Sequence, residues 1–510
     1  SIFYFLYIVS LFIGLLPWQP IDANSFSNYY SHFNSLRVAK GSLIAILLLP
    51  LLKRDCSGVR GKILFSYGMV LGFVIVCIIS IWERFVFSGL FEYSSDFRIT
   101  SWFSSMHTGG GHIDSYLMLT FPFLAFLYNK SLISKVLTVI VFILGVYVSL
   151  VTFSRGVYLA FIIEMFMLFF LFYILYKPKI LSKTTLFVPA FIVIVLIGSF
   201  FVFKGEFINK RINNINKDFD VRIFHWQDAI SMMDRDIATT LFGMGLGSYP
   251  RTYYLLNSEN VTPASHLIIK EGEQNFLRLT NGDPLYMGQY IDIHSHKLYI
   301  LKYDQRTDGN AKLSIPICEK SLLYSFECNW LNGTRQVSSN EWQHIEMSFN
   351  MGKVGEARGE LLVSRPVQLA LYYGAGHGYL DVDNIKLTDQ FGQNVISNGS
   401  FEQGLDHWFF STENHMPWHI KNLWVHVFFD QGTLGLLVFC LLVALALLNL
   451  KSRIKQNDYF ACILVSSLCG FFVVSIVASP FDAPRLTLLF FIILLFSLEK
   501  NNKYNYLPKN

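Results

Sequence analysis

Roughly ten apolar runs, most near the twenty residues a helix needs to cross a bilayer, divide this chain and restrict its fold more than any motif does. They lie at about 2–17, 37–52, 63–82, 113–128, 134–152, 157–176, 185–203, 422–449, 459–479 and 485–498, the second and last being the shortest. Backbone groups in lipid need internal partners, so these runs are expected as helices rather than open strands. Of the 510 residues, 53% are hydrophobic and only 15% charged, more apolar surface than a soluble domain of this size can hide. A polytopic α-helical membrane protein follows. The net charge of +5 is what loop lysines supply and does not point to nucleic acid.

The loops set direction. Lys53, Arg54, Arg60 and Lys62 share one loop, Lys130 and Lys135 another, and Lys177, Lys179 and Lys183 a third. Lys451, Arg453 and Lys455, then Lys500, Lys503 and Lys509, complete a series that alternates with the remaining loops and marks the cytoplasmic side. Segments 18–36, 83–112, 153–156, 204–421 and 480–484 then face outward. Ser1 opens directly into Ile2-Phe3-Tyr4-Phe5-Leu6, which lacks the basic start and cleavage site of a signal peptide. The chain is expected to be a fragment at its N-terminus, and if the intact protein also starts on the cytoplasmic side, an even number of spans has been lost.

One outward segment is large enough to be a domain. Its period-two runs at 267–269, 275–279, 297–301, 344–349, 368–373 and 379–383 predict an antiparallel β-sandwich. The division expected is residues 1–257 (transmembrane bundle with outer loops), 258–416 (β-sandwich insertion) and 417–510 (C-terminal helices). Cys318 and Cys328 fall in the insertion, and both a disulfide and two packed thiols suit them. His294 and His296 have metal-like spacing, but alternation along a strand gives the same pattern, and no metal site is assigned.

Candidate chemistry gathers at the outer ends of the runs. Arg155, in Thr152-Phe153-Ser154-Arg155-Gly156, is basic where the topology bias disfavours it, and a guanidinium fork suits phosphate or carboxylate. Arg222 and Trp226 share a face of a surface helix beginning near Asp218. Gly243-Met244-Gly245-Leu246-Gly247 follows no strand and is expected as a tight turn rather than a dinucleotide loop. His419, Lys421 and Asn422 lie at the lip of a span with His426 deeper. His112 and Asp114 follow a glycine loop, and Arg485 follows Ser479-Pro480-Phe481-Asp482. Bland roles stand beside each: snorkelling for Arg155, pairing with Asp218 for Arg222, interfacial hydrogen bonding for His419, helix capping for His112, anchoring for Arg485.

With Ser154-Arg155-Gly156, Arg222…Trp226, Phe242-Gly243-Met244-Gly245-Leu246-Gly247-Ser248-Tyr249 and Lys421-Asn422-Leu423-Trp424…Asp430-Gln431-Gly432-Thr433-Leu434-Gly435 in this order, the chain resembles the O-antigen ligase and O-antigen polymerase family of bacterial inner-membrane proteins. Arg98 is similar to the family's arginine in the preceding outer loop. The resemblance implies twelve spans when intact, a periplasmic outer face, and an undecaprenyl-pyrophosphate-linked glycan donor. It also implies inverting transfer without metal or cofactor, to a hydroxyl of a glycan, of lipid A-core or of a protein. Carried over by residue, the pyrophosphate-binding arginines are Arg155 and Arg222. The family's base histidine directly precedes the Asn, where this chain has Lys421, so the role passes to His419. Asn398-Gly399-Ser400-Phe401 through Trp408, with Tyr379-Leu380-Asp381-Val382-Asp383-Asn384, resembles jelly-roll carbohydrate-binding modules, which makes Trp330, Trp342 and Trp408 sugar-stacking candidates. A non-catalytic reading, a polysaccharide transporter or glycan receptor, stays open. It is disfavoured because no repeat is visible and most charges gather at the outer surface rather than at mid-depth.

Overall fold

The computed structural model describes residues 2–55, 58–103, 111–128, 131–176, 205, 215–258, 262–321, 323–332, 339–358 and 363–499. The run expected at 185–203, the glycine loop at 106–110 and Cys56 lie outside them. Twelve helices are described: α1 (Ile2–Leu15), α2 (Asn34–Asp55), α3 (Val59–Phe87), α4 (Gly111–Thr120), α5 (Leu132–Val151), α6 (Arg155–Tyr176), α7 (Ile215–Ser231), α8 (Ile237–Phe242), α9 (Tyr249–Leu256), α10 (Leu423–Lys455), α11 (Tyr459–Ser475) and α12 (Pro484–Leu498). Five stretches among the described residues are long and apolar enough to cross a membrane: Asn34–Arg54, Val59–Phe87, Leu132–Val151, Arg155–Leu175 and Met416–Lys455. The apolar helices α1, α11 and α12 are shorter. The run expected at 113–128 breaks into α4 and a 3-10 segment, Phe121–Phe126, because Pro122 cannot donate to a continuing α-helical ladder.

The helices pack through aromatic rings. Phe471 stacks on Phe490 at 4.8 Å, Phe481 meets Phe490 at 5.3 Å, and Phe73 meets Phe121 edge-on at 5.1 Å. Such pairs add roughly 0.5–1.5 kcal/mol each beyond their buried area. Leu47, Ile162, Phe166, Leu437 and Leu441 point outward instead. That arrangement suits lipid and is a liability in water.

Between α9 and α10 the chain forms two antiparallel five-stranded sheets. Their strands are β1 (His266–Glu271), β2 (Gln274–Thr280), β3 (Leu285–Ile291), β4 (Leu298–Thr307), β5 (Asn310–Ser321), β6 (Tyr324–Asn332), β7 (Ser339–Asn350), β8 (Val367–His377), β9 (Tyr379–Asp389) and β10 (Phe409–Thr412). The strand orders are β1-β2-β9-β4-β7 and β10-β3-β8-β5-β6. Alternating residues such as Leu301, Leu313, Leu369, Leu371 and Val382 fill the space between the sheets. The six expected strands are present. β3, β5, β6 and β10 were not expected: Gly288 and Pro316 interrupt two of them, and β6 is polar along much of its length. Cys318 and Cys328 are direct partners across β5 and β6 and are disulfide-bonded. His294 and His296 sit in the turn between β3 and β4 rather than on a strand, with His296 in the left-handed region.

Several hydrogen bonds fasten the sandwich to the helices and the loops between them. Arg365 donates to the carbonyls of Val86 and Phe87 at the end of α3 while bonded to Glu319. In the loop between α1 and α2, the Asn24 side chain exchanges two hydrogen bonds with the backbone of Ile268 on edge strand β1. The loop between α1 and α2 and the end of α3 therefore both meet the insertion.

Candidate functional site

α10 is a broken helix. Gly432 lies at φ 65°, ψ −168°, and the break frees carbonyls that an unbroken helix would use. The glycine loop after α8 takes them: Met244 N–H donates to Phe429 O and Gly245 N–H to Asp430 O. Gly243, Gly245 and Gly247 all have positive φ. A Cβ on Gly243 would lie 2.5 Å from Gln431 N, and one on Gly432 would lie 2.4 Å from Leu241 O. Only glycine permits both the conformation and the crossing. The expected tight turn is present, and it clamps the N-terminal half of α10.

That N-terminal half carries the polar groups. The Asn422 side chain caps α10 through the N–H groups of Trp424 and Val425, and its amide also donates to Ile476 O. Lys421 precedes it at φ 58°, a region worth roughly 1–3 kcal/mol of strain for a non-glycine residue. His419 Nδ1 lies 2.6 Å from Asp482 Oδ2, in the 3-10 turn before α12. His426 Nε2 lies 3.1 Å from Asp430 Oδ2 and 3.6 Å from Asp482 Oδ1. Burial alone would raise the Asp482 carboxyl. The charges of His426 and His419, with the His419 hydrogen bond, hold it below the ordinary carboxylate value. Arg37 donates to Asp482 O, and Asn34 ties Arg37 to Gly247 O. The main chain of His419 is braced as well, since His225 Nε2 lies 3.0 Å from His419 O and Tyr249 donates to Met416 O. A crevice of about 240 Å³, its open mouth included, is lined by Arg37, Tyr249, Trp418, His419, His426 and Asp482.

Lys421 and Arg37 are within electrostatic reach of this imidazole, and a chain of further cations leads from Lys421 through Arg222 to Arg155. Arg155, the first residue of α6, pairs with Asp218 on α7 at 2.6 Å. The turn that delivers it uses Phe153, buried and at φ 48°, under the guanidinium of Arg84. Arg222 donates to Val477 O at 2.7 Å, in the segment between α11 and α12. Burial lowers the Arg222 guanidinium, and Arg155 and Arg98 lower it further while Asp218 raises it. Arg98 donates through Nε to Thr152 O, and its loop is held by Glu83, which accepts from the N–H groups of Thr100 and Ser101. Lys421 is within electrostatic reach of Arg222, Asp482, Arg98 and Asp114. Burial, and then the charges of Lys421, Arg222, His419 and His225, push the His415 imidazole well below its usual range. His112 stands edge-on to His419 with centroids 6.1 Å apart.

Arg98, His112, Arg155, Arg222, His419 and Lys421, drawn from separate outer loops and helix ends, thus converge. Arg485 does not join them: it is exposed, donates to Trp102 O and lies over Phe103. The three tryptophans also separate. Trp408 is buried against Phe401 with its N–H bonded to Asn398 O, so its ring belongs to the core. Trp342 has the Arg306 guanidinium 4.7 Å over its ring, and Trp330 is half exposed. Asp482, Asp430, Arg37, His225 and Tyr249 were not singled out from sequence. Most of their partners lie far off in the chain, up to 445 positions for Arg37 and Asp482, where no spacing rule applies, whereas Asp430 stands one helical turn after His426. Among the described residues no group of three or more His, Cys, Asp or Glu is placed to hold a metal ion.

Residues 140–270 match the sequence model of a family described as O-Antigen ligase, Wzy_C, a stretch that includes Arg155, Arg222 and the glycine loop. No curated protein matches the chain. Similar solved structures include "PbXyn10C CBM APO", 22% identical over 28% of this chain and 84% of that one, TM-score 0.20. "CBM4 structure and function" is 14% identical over 26% and 81%, TM-score 0.20. "Family 16 Carbohydrate Binding Module-2" is 16% identical over 26% and 87%, TM-score 0.18.

Proposed function

We propose, taking the O-antigen ligase match over residues 140–270 as premise, that this multi-pass membrane protein transfers a glycan from undecaprenyl pyrophosphate to an acceptor hydroxyl at the outer face of the bacterial inner membrane. The observation that carries this reading is the gathering of Arg98, Arg155, Arg222 and Lys421 beside an imidazole oriented by a carboxylate. Breaking the bond between an anomeric carbon and a pyrophosphate oxygen leaves charge on the leaving group. Guanidinium groups neutralise that charge most effectively where water is scarce. Arg155 is already paired, but the pair is partly open to solvent and worth on the order of 1 kcal/mol, so a pyrophosphate that brings more charge displaces Asp218.

Attack from the opposite side forms the new C–O bond with inversion. The acceptor hydroxyl loses its proton to His419 Nε2, while Asp482 holds the Nδ1–H and stabilises the imidazolium. Residues 258–416 form a periplasmic insertion in this scheme, and apolar surface between helices takes the polyprenyl tail. Ligase, polymerase and protein O-oligosaccharyltransferase share this donor chemistry and differ in acceptor.

The test is glycan transfer in membranes by Arg222→Ala and His419→Ala proteins matched for expression. Each is expected to lose roughly 100-fold or more. Undiminished transfer by Arg222→Ala would remove the clamp. Full activity in His419→Ala with loss in Lys421→Ala would move the base to Lys421. Comparing chain length and attachment of the surface glycan in a deletion strain separates polymerase from ligase.

A further inference from the structure

Two aromatic residues of the insertion do not belong to its core. Tyr324 and Phe326, on β6, pack against the buried residues of the helix bundle instead of those between the two sheets. Alternation puts both on one face of an edge strand whose intervening residues, Ser325 and Glu327, are polar. The strand is stiffened where they stand. Cys328 is bonded to Cys318 across the hairpin, and the Arg365 guanidinium lies 4.2 Å over the Phe326 ring.

What they pack on is the loop that carries Arg98. The buried Phe97 ring meets Tyr324 at 4.9 Å and Phe326 at 6.1 Å, and Phe87 at the end of α3 stacks on Phe326 at 5.5 Å. The Tyr324 hydroxyl accepts from Arg98 N–H at 3.2 Å and donates to Asp96 O at 2.9 Å. One oxygen thus ties the peptide groups on both sides of Phe97. The rest of the loop is held from α3: Arg84 donates to Phe97 O and Glu92 O, and Glu83 accepts from the N–H groups of Thr100 and Ser101. The backbone donor of Arg98 itself is met by the insertion.

The Arg98 side chain leads on to the transfer site. Its Nε donates to Thr152 O at 2.9 Å, three residues before Arg155, and its Nη groups have no hydrogen-bond partner among the described residues. Arg98 is within electrostatic reach of Arg222 and Lys421. A guanidinium fork recognises an anion by geometry as well as charge, so its effect depends on where the backbone sets it. A misplacement of about 1 Å at a reacting centre can cost roughly 100-fold in rate.

We propose that Tyr324 is a positioning residue for Arg98, through which the insertion sets one arm of the cationic cluster at the transfer site. The role of Arg98 toward a pyrophosphate rests on the proposed reaction; the setting of its loop by Tyr324 does not.

The test uses Tyr324→Phe in the full chain in nanodiscs, which keeps the ring on Phe97 and removes only the bridging oxygen. Amide hydrogen exchange over residues 93–101 is expected to quicken roughly three- to tenfold, the range one hydrogen bond gives, with an unchanged melting temperature. With lipid-linked glycans extracted from the producing cells as donor, KM should rise by a similar factor while kcat stays within about twofold. Added to Arg98→Ala, itself impaired, Tyr324→Phe should cost nothing further, because no guanidinium is left to set. Wild-type exchange and KM in Tyr324→Phe overturn the proposal. So does an undiminished further loss on top of Arg98→Ala, which would make Tyr324 a general seam contact. A wild-type KM in Arg98→Ala, with exchange still quickened in Tyr324→Phe, overturns the place of Arg98 in the proposed reaction and upholds the setting of its loop.

Discussion

Asp482 is the residue through which the proposed base acts. Its carboxylate accepts the Nδ1–H of His419 and thereby leaves Nε2 to the acceptor hydroxyl. Asp482→Asn keeps the shape, removes the charge and can present an N–H to Nδ1, favouring the wrong tautomer. Transfer is expected to fall roughly 10²–10⁴-fold, with acceptor KM changed far less than kcat, measured by initial rates in membranes. The pH sign follows from the same carboxylate. Its folded value lies below the ordinary 3.8, so its stabilisation is complete above that value and is lost as pH falls through the folded one. Acid unfolding should therefore be steeper in wild type than in Asp482→Asn. Arg155 drew notice because it is basic where the topology bias disfavours it, and Arg222 and His419 entered with the motifs that carry the resemblance. Asp482 was not legible, because a carboxylate in a surface turn breaks no rule until its partner, 63 positions away, is known.

At the scale of the element, the crossing of the glycine loop over α10 decides whether the site exists. Gly432→Ala meets both a left-handed φ and a Cβ 2.4 Å from the Leu241 backbone. Gly272→Ala has a similar φ of 64° but open space around it. The first is expected to lower the thermal unfolding temperature sharply and to abolish transfer. The second should cost roughly 1 kcal/mol, the conformational term alone, and leave transfer intact. If both behave alike, the crossing is not what holds α10. The glycine spacing disclosed a tight turn. The broken helix it grips was hidden, because Asp430-Gln431-Gly432-Thr433 lies inside a run whose hydropathy reads as one span. Likewise, six strands were legible from alternation, whereas Pro316 and the polar face of β6 concealed the sheet that ends in the hairpin of β5 and β6.

For the whole molecule, the insertion and the bundle work as one body only if their seam holds. Arg365 bridges Glu319, the end of α3 and the Phe326 ring at 4.2 Å. Arg365→Ala leaves two helix-end carbonyls and a buried carboxylate without this partner, a loss on the order of 1–3 kcal/mol in docking. Limited proteolysis of the seam should quicken roughly tenfold or more, as about 1.4 kcal/mol would give. The Cys318–Cys328 hairpin should resist as before. Unchanged cleavage would mean that the other contacts suffice. The Asn24 contact has a different consequence. β1 ends its sheet, and an open strand edge is a template on which a second chain can pair. By occupying the N–H and C=O of Ile268 with a side-chain amide, the loop between the first two helices acts as a stopper against end-to-end polymerisation of the insertion.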